Sequence, residues 1–252
     1  MVTDERRCEL LQNYFGQRVS EILSTYSAEP PDDQQLLARE RLKLAVSTVC
    51  THFPEGACIL DVGSGCGLGA ATLADLGYEV TAVELIPELL EQAKSRTESR
   101  VNWVEGPFHD KVGKKGSFDV VLSLGFLEYQ ERAGKELVRM RRMLKPGGVL
   151  LLSVPNTVSA QFKFGLDRAL YRLAKEPEKI PVRHSFTPER LQRLLGMAGF
   201  ILNDYVWLPD GEGGKPLAME RGRDFWEHRV RWRTAPEFFS LSRTYRPEDT
   251  AV

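Results

Sequence analysis

Apolar residues recur at helical spacing early in the chain. Leu10, Leu11, Phe15, Val19, Ile22 and Leu23 mark a helix over 9–27, and the prolines of AEPPDD (28–33) interrupt it. QQLLARERLKLAVSTVCTHF predicts a second helix over 34–53, stopped by Pro54 and Gly56. The pattern then changes to short apolar runs separated by amphipathic segments. ACILDV (57–62), VTAVEL (80–85), VNWVEG (101–106) and VLLLSVPN (149–156) read as strands, and SFDVVLSLGFLEY (117–129) as a strand running into a loop. The intervening helices are GLGAATLADLGY, closed by Gly77, PELLEQAKSRTE (87–98) and ERAGKELVRMRRML (131–144), the last stopped by KPGG. Apolar strands alternating with helices imply a parallel sheet covered on both faces.

The second half is less regular. Residues 157–182 predict a helical insertion carrying several lysines and arginines. SFTPERLQRLLGMAGF (185–200) is a helix with Thr187 at the N-cap and Pro188 in the first helical position; Arg190 replaces the Glu of a full capping box. ILNDYVWL follows as a strand, and 209–216 as a Gly-rich loop. FFSLSRTY (238–245) is a final strand, antiparallel at the sheet edge or between neighbours.

Composition narrows the partners. At 252 residues and 42% hydrophobic, the chain can build one sizeable core with small additions. A formal charge of -1 gives no global pull toward nucleic acid or acidic membranes. The four cysteines, Cys8, Cys50, Cys58 and Cys66, form no Cys-x-x-Cys pair, and there are four histidines. That reads as reduced thiols in a cytoplasmic protein, with no metal site. Cys58 reads as a small buried apolar residue. No signal peptide, membrane span or internal repeat is visible.

The candidate chemistry lies in ILDVGSGCG (59–67). A glycine turn after the first parallel strand lets backbone approach a ligand, and the next helix offers unpaired amides. Glu84, at the end of the second strand, is spaced to grip two ribose hydroxyls. The dinucleotide fingerprint Gly-x-Gly-x-x-Gly fails, because Leu68 stands at its third position. A Walker A loop fails too, since no Lys-Ser or Lys-Thr follows. Asp61, just before the glycines, would repel a pyrophosphate and suits a cationic ligand.

With VTAVEL ending on Glu84, FDVVLSLGFLEY (118–129), LKPGGVLLLSVPN (144–156) and FTPERLQRLLGMAGF (186–200), this stretch resembles the class I S-adenosylmethionine-dependent methyltransferases. The similarity is to their small-molecule branch, related to the quinone-biosynthesis methyltransferases, and covers roughly 55–205. It implies an α/β fold: a seven-stranded Rossmann-like methyltransferase sheet with helices on both faces, mostly parallel with one antiparallel strand. It divides the chain into an N-terminal helical cap (1–54), a cofactor-binding half of the sheet domain (55–156), a variable helical insertion (157–184) and a C-terminal part of the sheet domain (185–252). The implied cofactor is S-adenosyl-L-methionine and the implied partner a small-molecule acceptor, the protein acting as monomer or homodimer.

Carried over by position, Gly63, Gly65 and Gly67 face the methionine half of the cofactor and Asp61 supports its amino-acid end. Glu84 binds the ribose, Leu85 packs near the adenine, and Leu124 and Gly125 line the cofactor beside the substrate opening. The family often has an acid after the third strand; EGPFHD (105–110) has none at the expected place, so Phe108 is expected against the ring. Related enzymes commonly have Glu-His where this chain has Glu128-Tyr129. Both residues are substrate candidates, against plain loop or helix-cap roles. His184, in PVRHSF, is the candidate base for a hydroxyl acceptor, against a substrate contact or a structural histidine. Tyr14 is a candidate lid residue touching the cofactor, with Tyr26 as a weaker version, against simple packing. Arg183, with Lys163, Arg168 and Arg172, suits an anionic acceptor or a solvated helix face. RGRDFWEHRVRWR (221–233) mixes aromatics with arginines, but its acids argue against nucleic acid. N-methylation, an inactive methyltransferase-like partner and an NAD enzyme are the competing readings. The retained glycines and Glu84 oppose the second, and the glycine spacing and Asp61 oppose the third.

Overall fold

The computed structural model describes residues 4–27, 29, 31–97, 100–157, 181, 183–208, 220–221 and 237–244. The insertion expected over 157–182, the loop at 209–216 and the aromatic-basic tail beyond 221 lie almost wholly outside these residues, as do Lys163, Arg168, Arg172 and His228.

Strands β1 (Cys58–Val62), β2 (Glu79–Glu84), β3 (Val101–Glu105), β4 (Phe118–Leu124) and β5 (Leu144–Pro155) are parallel. With β6 (Phe200–Leu208), β7 (Glu220–Arg221) and β8 (Glu237–Thr244) they form one sheet in the order β3-β2-β1-β4-β5-β8-β6-β7. β8 lies between β5 and β6, antiparallel to both, which resolves the two placements left open for FFSLSRTY. The seven expected strands are joined by the two-residue β7, antiparallel to β6 at the edge. The chain leaves β1 toward β2 and β3 on one side and returns to β4 on the other. The switch point therefore falls between β1 and β4, where a crevice opens at the carboxyl ends of the strands.

Successive strand residues point to opposite faces, and both faces are covered. Leu60, Val121 and Leu152 pack with Leu137 and Met140 of α6 (Ala133–Met143) and Leu191 and Leu195 of α7 (Pro188–Met197). Ile59, Val120, Leu122 and Leu151 pack with Ala45 and Val49 of α3 (Asp33–His52) and Ala70 and Leu73 of α4 (Leu68–Asp75). Ile59, Leu60 and Leu122 are almost wholly buried, so each contributes about 1.5–3 kcal/mol. Helix α5 (Pro87–Thr97) follows β2.

Two details depart from the sequence pattern. The helix expected over 9–27 is broken into α1 (Asp4–Gly16) and α2 (Val19–Ser24). Arg18 turns back, donating to the Tyr14 carbonyl at 2.9 Å and lying over the Tyr14 ring at 3.8 Å. KPGG does not separate helix from strand; it bulges within β5. Leu144 pairs with Phe118 and Val149 with Val120, so the β5 side carries three extra residues, with Gly147 at φ 76. The helix caps follow the sequence. Asp32 and Gln35 form a capping box on α3, and Thr187 accepts from the Arg190 amide at 3.2 Å at the start of α7.

Candidate active site

The three glycines alternate because every second residue of the turn is left-handed: Gly63, Gly65 and Gly67 have φ of 74, 57 and 75. The amides of Gly63 and Ser64 both donate to the Val83 carbonyl, at 2.9 and 3.1 Å, which ties the turn to the end of β2. Their surroundings then separate the three. A Cβ on Gly65 would meet nothing within 4 Å. A Cβ on Gly63 would lie 3.0 Å from the Phe126 ring. A Cβ on Gly67 would lie 2.5 Å from Ala93 Cβ and 2.6 Å from Trp103 Cη2. Gly65 therefore faces open space, whereas Gly67 lets α4 pack closely on α5 and β3. Gly69, which misses the dinucleotide pattern, also serves packing: a Cβ there would sit 2.8 Å from Leu42 of α3.

The turn forms one wall of a cavity of about 770 Å³ at the switch point. Asp61, Gly63, Gly65, Glu84, Leu85 and Phe108 all line it. So do Leu124, Gly125, Glu128, Tyr129 and Arg183. Gly67, Tyr14 and His184 do not. Tyr14 is engaged by Arg18, and it is the next residue, Phe15, that reaches the lining, edge-on to Tyr129 with ring centroids 5.1 Å apart.

Electrostatics concentrates at the deep end. Asp61 and Glu84 are only 6% and 5% exposed. The Glu84 carboxylate accepts from the Gly65 amide at 2.7 Å and the Ile86 amide at 2.8 Å, so the acid itself organises the glycine turn. Burial still pushes it up to about 7 against those stabilising amides. Burial, and secondarily the charge of Glu84, pushes Asp61 up to about 7 as well. At the other end Glu128 is 1% exposed and Arg183 approaches its Oε1 at 3.4 Å. Burial pushes Tyr129 up to about 12, so its hydroxyl keeps its proton at neutral pH.

His184 donates its backbone N–H to the Glu128 carbonyl at 2.7 Å, fixing the 3-10 turn Leu127–Tyr129. Its ring is half-buried, and Nε2 has no hydrogen-bond partner among the described residues. Burial, then Arg7 and Arg190, holds the imidazole below its ordinary value, with Glu131 opposing.

Several lining residues escaped the sequence reading. Arg41 of α3 lies over Gly125, its guanidinium 3.2–3.4 Å from where a Cβ would stand, and it hydrogen-bonds Tyr26. Its one signal is a charge beside the buried stripe Leu42, Ala45 and Val49. Ser64 lines the cavity, and Phe126 does so in edge-on contact with Phe108 at 6.2 Å. Gln12 of α1 reaches across to donate to the Leu85 carbonyl at 3.1 Å, strapping the N-terminal helices over the cavity. Among the described residues no His/Cys/Asp/Glu group could hold a metal ion, and no helix is long and apolar enough to cross a membrane.

Comparison with known proteins gives this geometry its context. The methyltransferase domain family matches residues 60–152. The ubiquinone biosynthesis O-methyltransferase of Xanthomonas axonopodis pv. citri is 34% identical over 159 residues, 60% of this chain and 65% of that protein. Its counterpart in Azorhizobium caulinodans is 30% identical over 154 residues, 60% of this chain and 61% of that one. The match thus spans less than two thirds of either relative's length. Among solved structures, Synechocystis magnesium protoporphyrin IX methyltransferase with bound S-adenosylhomocysteine superposes with a TM-score of 0.70 at 13% identity, over 95% of this chain and 100% of that one. Burkholderia thailandensis 1,6-didemethyltoxoflavin-N1-methyltransferase, bound to 1,6-didemethyltoxoflavin and S-adenosylhomocysteine, gives 0.65 at 20% identity, over 97% and 91%. The chain has the class I S-adenosylmethionine-dependent methyltransferase fold.

Proposed function

We propose that this protein transfers a methyl group from S-adenosyl-L-methionine to a small-molecule acceptor, with a hydroxyl oxygen as the attacking atom. The observation that carries the reading is one corner of the cavity: the buried carboxylates Asp61 and Glu84, the latter bonded to the amide of Gly65, whose missing side chain leaves open space. That corner fits the cofactor. Glu84 is placed for the ribose hydroxyls and Asp61 for the ammonium of the amino-acid end. Gly63 and Gly65 let backbone approach the methionine half, Leu85 and Phe108 flank the base, and Leu124 and Gly125 stand beside the opening. The N-terminal helices α1–α3 act as the cap. The ubiquinone biosynthesis O-methyltransferases named above supply an analogy for the acceptor.

The bound donor supplies an already activated methyl group, so the protein's work is alignment, exclusion of water and disposal of a proton. Phe15, Phe126 and Tyr129 wall the acceptor end. Glu128, expected only as a substrate contact, lines the cavity, whereas His184, the expected base, does not. We therefore place the proton acceptor at Glu128, with Arg183 beside it, and give His184 the role of holding the Glu128 turn through its backbone N–H.

Calorimetry with S-adenosylmethionine and S-adenosylhomocysteine tests the cofactor. Glu84→Ala should weaken binding by about 1.5–3 kcal/mol, the range for hydrogen bonds to a charged group. An unchanged Kd, or preferential binding of NAD, rejects the reading. Labelled methyl transfer into an extract then identifies the acceptor. Glu128→Gln should lower turnover at saturating acceptor more than His184→Gln does, and the reverse order returns the base to His184.

A further inference from the structure

Asp61 and Glu84 occupy neighbouring parallel strands two residues out of step. Asp61 pairs with Ala82, so Glu84 projects from the same face one diagonal further along. Glu84 lies close enough that its charge helps raise the Asp61 carboxyl. Both residues are buried at the carboxyl end of the face covered by α3 and α4. Glu84 is held by two amides. Asp61 lines the cavity, and its carboxyl has no hydrogen bond or ion pair among the described residues.

Other titratable groups surround the pair. Tyr26, just after α2, is near enough to feel the Asp61 charge; it hydrogen-bonds Arg41 of α3, and burial keeps its phenol protonated. Cys66 of the glycine turn and Cys8 of α1 line the same cavity, as does His109 beyond β3. Glu105, the cross-strand neighbour of Glu84, is exposed. Glu5 and Glu9 of α1, Glu128 of the 3-10 turn and Glu136 of α6 add further acidic groups to the lining, and Arg7, Arg139 and Arg183 add basic ones. Two neighbouring buried carboxylates resist simultaneous ionisation, and one proton on the pair relieves the repulsion.

Resting on the cofactor reading above, we infer that the Asp61–Glu84 pair carries one proton in the unliganded protein and that a nucleoside ligand bearing an ammonium expels it on binding. Burial places both groups at about 7, so the effect falls in the neutral range. The sign follows directly. Below that value each ligand must displace the proton, so affinity rises as pH rises, approaching tenfold per unit, and levels off above it. The ligand's own amine, ordinarily near 7.7–8.0, stays charged over most of this interval.

The test is calorimetry of the wild-type protein with S-adenosylhomocysteine, in buffer pairs of different ionisation enthalpy, at about pH 6.5 and about pH 8. Release of close to one proton per ligand at the lower pH, and much less at the higher, supports the inference. Tight binding whose heat is independent of buffer at the lower pH overturns it and leaves the cofactor reading standing. No binding at either pH overturns both. In variants shown to be folded, Asp61→Asn should lose most of the proton release and His109→Gln should keep it. Full release in Asp61→Asn, or its loss in His109→Gln, assigns the proton elsewhere and overturns the inference.

Discussion

The alternating glycines look equivalent in the sequence, and a pair of alanine substitutions separates them. Gly67→Ala places a Cβ 2.5 Å from Ala93 Cβ and 2.6 Å from Trp103 Cη2. Both neighbours are fixed: Ala93 is fully buried in α5, and the Trp103 indole is held by a hydrogen bond to Thr97 at 3.0 Å. Overpacking of this kind costs about 1–3 kcal/mol, and a left-handed non-glycine residue adds about 1–2 kcal/mol. Together these lower stability by roughly 2–5 kcal/mol, or about 5–15 °C in Tm for a chain of this size. Gly65→Ala carries only the backbone cost of about 1–2 kcal/mol, because its Cβ meets nothing. That Cβ enters the space assigned to the methionine half of the cofactor. The two variants should therefore dissociate two readouts. In thermal melts Gly67→Ala should lose more stability. In calorimetry below its Tm it should bind S-adenosylhomocysteine nearly as wild type, while Gly65→Ala binds at least tenfold more weakly. A Gly67→Ala protein of wild-type Tm, or a Gly65→Ala protein of wild-type affinity, would refute this division.

Three further predictions follow from contacts around the sheet ends. Asp61 titrates near 7 in the folded chain and near 4 unfolded, so between those values the folded state binds more protons and stability falls as pH rises. Asp61→Asn removes that penalty: thermal melts of the unliganded protein should show roughly 1–3 kcal/mol of gain at about pH 8 and little change near pH 4, and a loss at the higher value would contradict it. Gln12→Ala removes the strap to the Leu85 carbonyl, at about 0.5–1.5 kcal/mol; limited proteolysis should cut the N-terminal helices faster while the Tm of the sheet domain barely moves. Asp119 accepts from the Cys58 amide at 2.9 Å and from Lys145 Nζ at 2.7 Å, pinning the starts of β1 and β5. Asp119→Ala leaves a strand amide unpaired and should cost about 1–3 kcal/mol in urea titration, with ligand affinity unchanged because the clamp lies at the far end of the strands from the cavity.

Much of this was legible along the chain because it depends on local chemistry. Apolar strands between amphipathic helices dictate a two-faced parallel sheet, since neither face can be left wet. Thr187-Pro188 caps its helix wherever that helix lies. Asp61, Gly65 and Glu84 were recognisable because a strand end, a left-handed turn and a second strand end sit at a spacing that parallel pairing brings together. Other features needed the folded chain. The break at Gly16 depends on Arg18 folding back on Tyr14, and it exchanges Tyr14 for Phe15 at the cavity. Arg41 joins the site because α3 crosses above Gly125, a relation with no imprint in spacing. Gly67 leaves the site because Ala93 and Trp103, distant in sequence, come to rest against it. The placement of β8 between β5 and β6 was open until long-range pairing chose it. Sequence by itself determined the sheet, its caps and the acids at its switch point, because those follow from periodicity and backbone geometry. Only tertiary structure decided which neighbours line the cavity and which touch the core, because that depends on what other elements bring within a few ångströms.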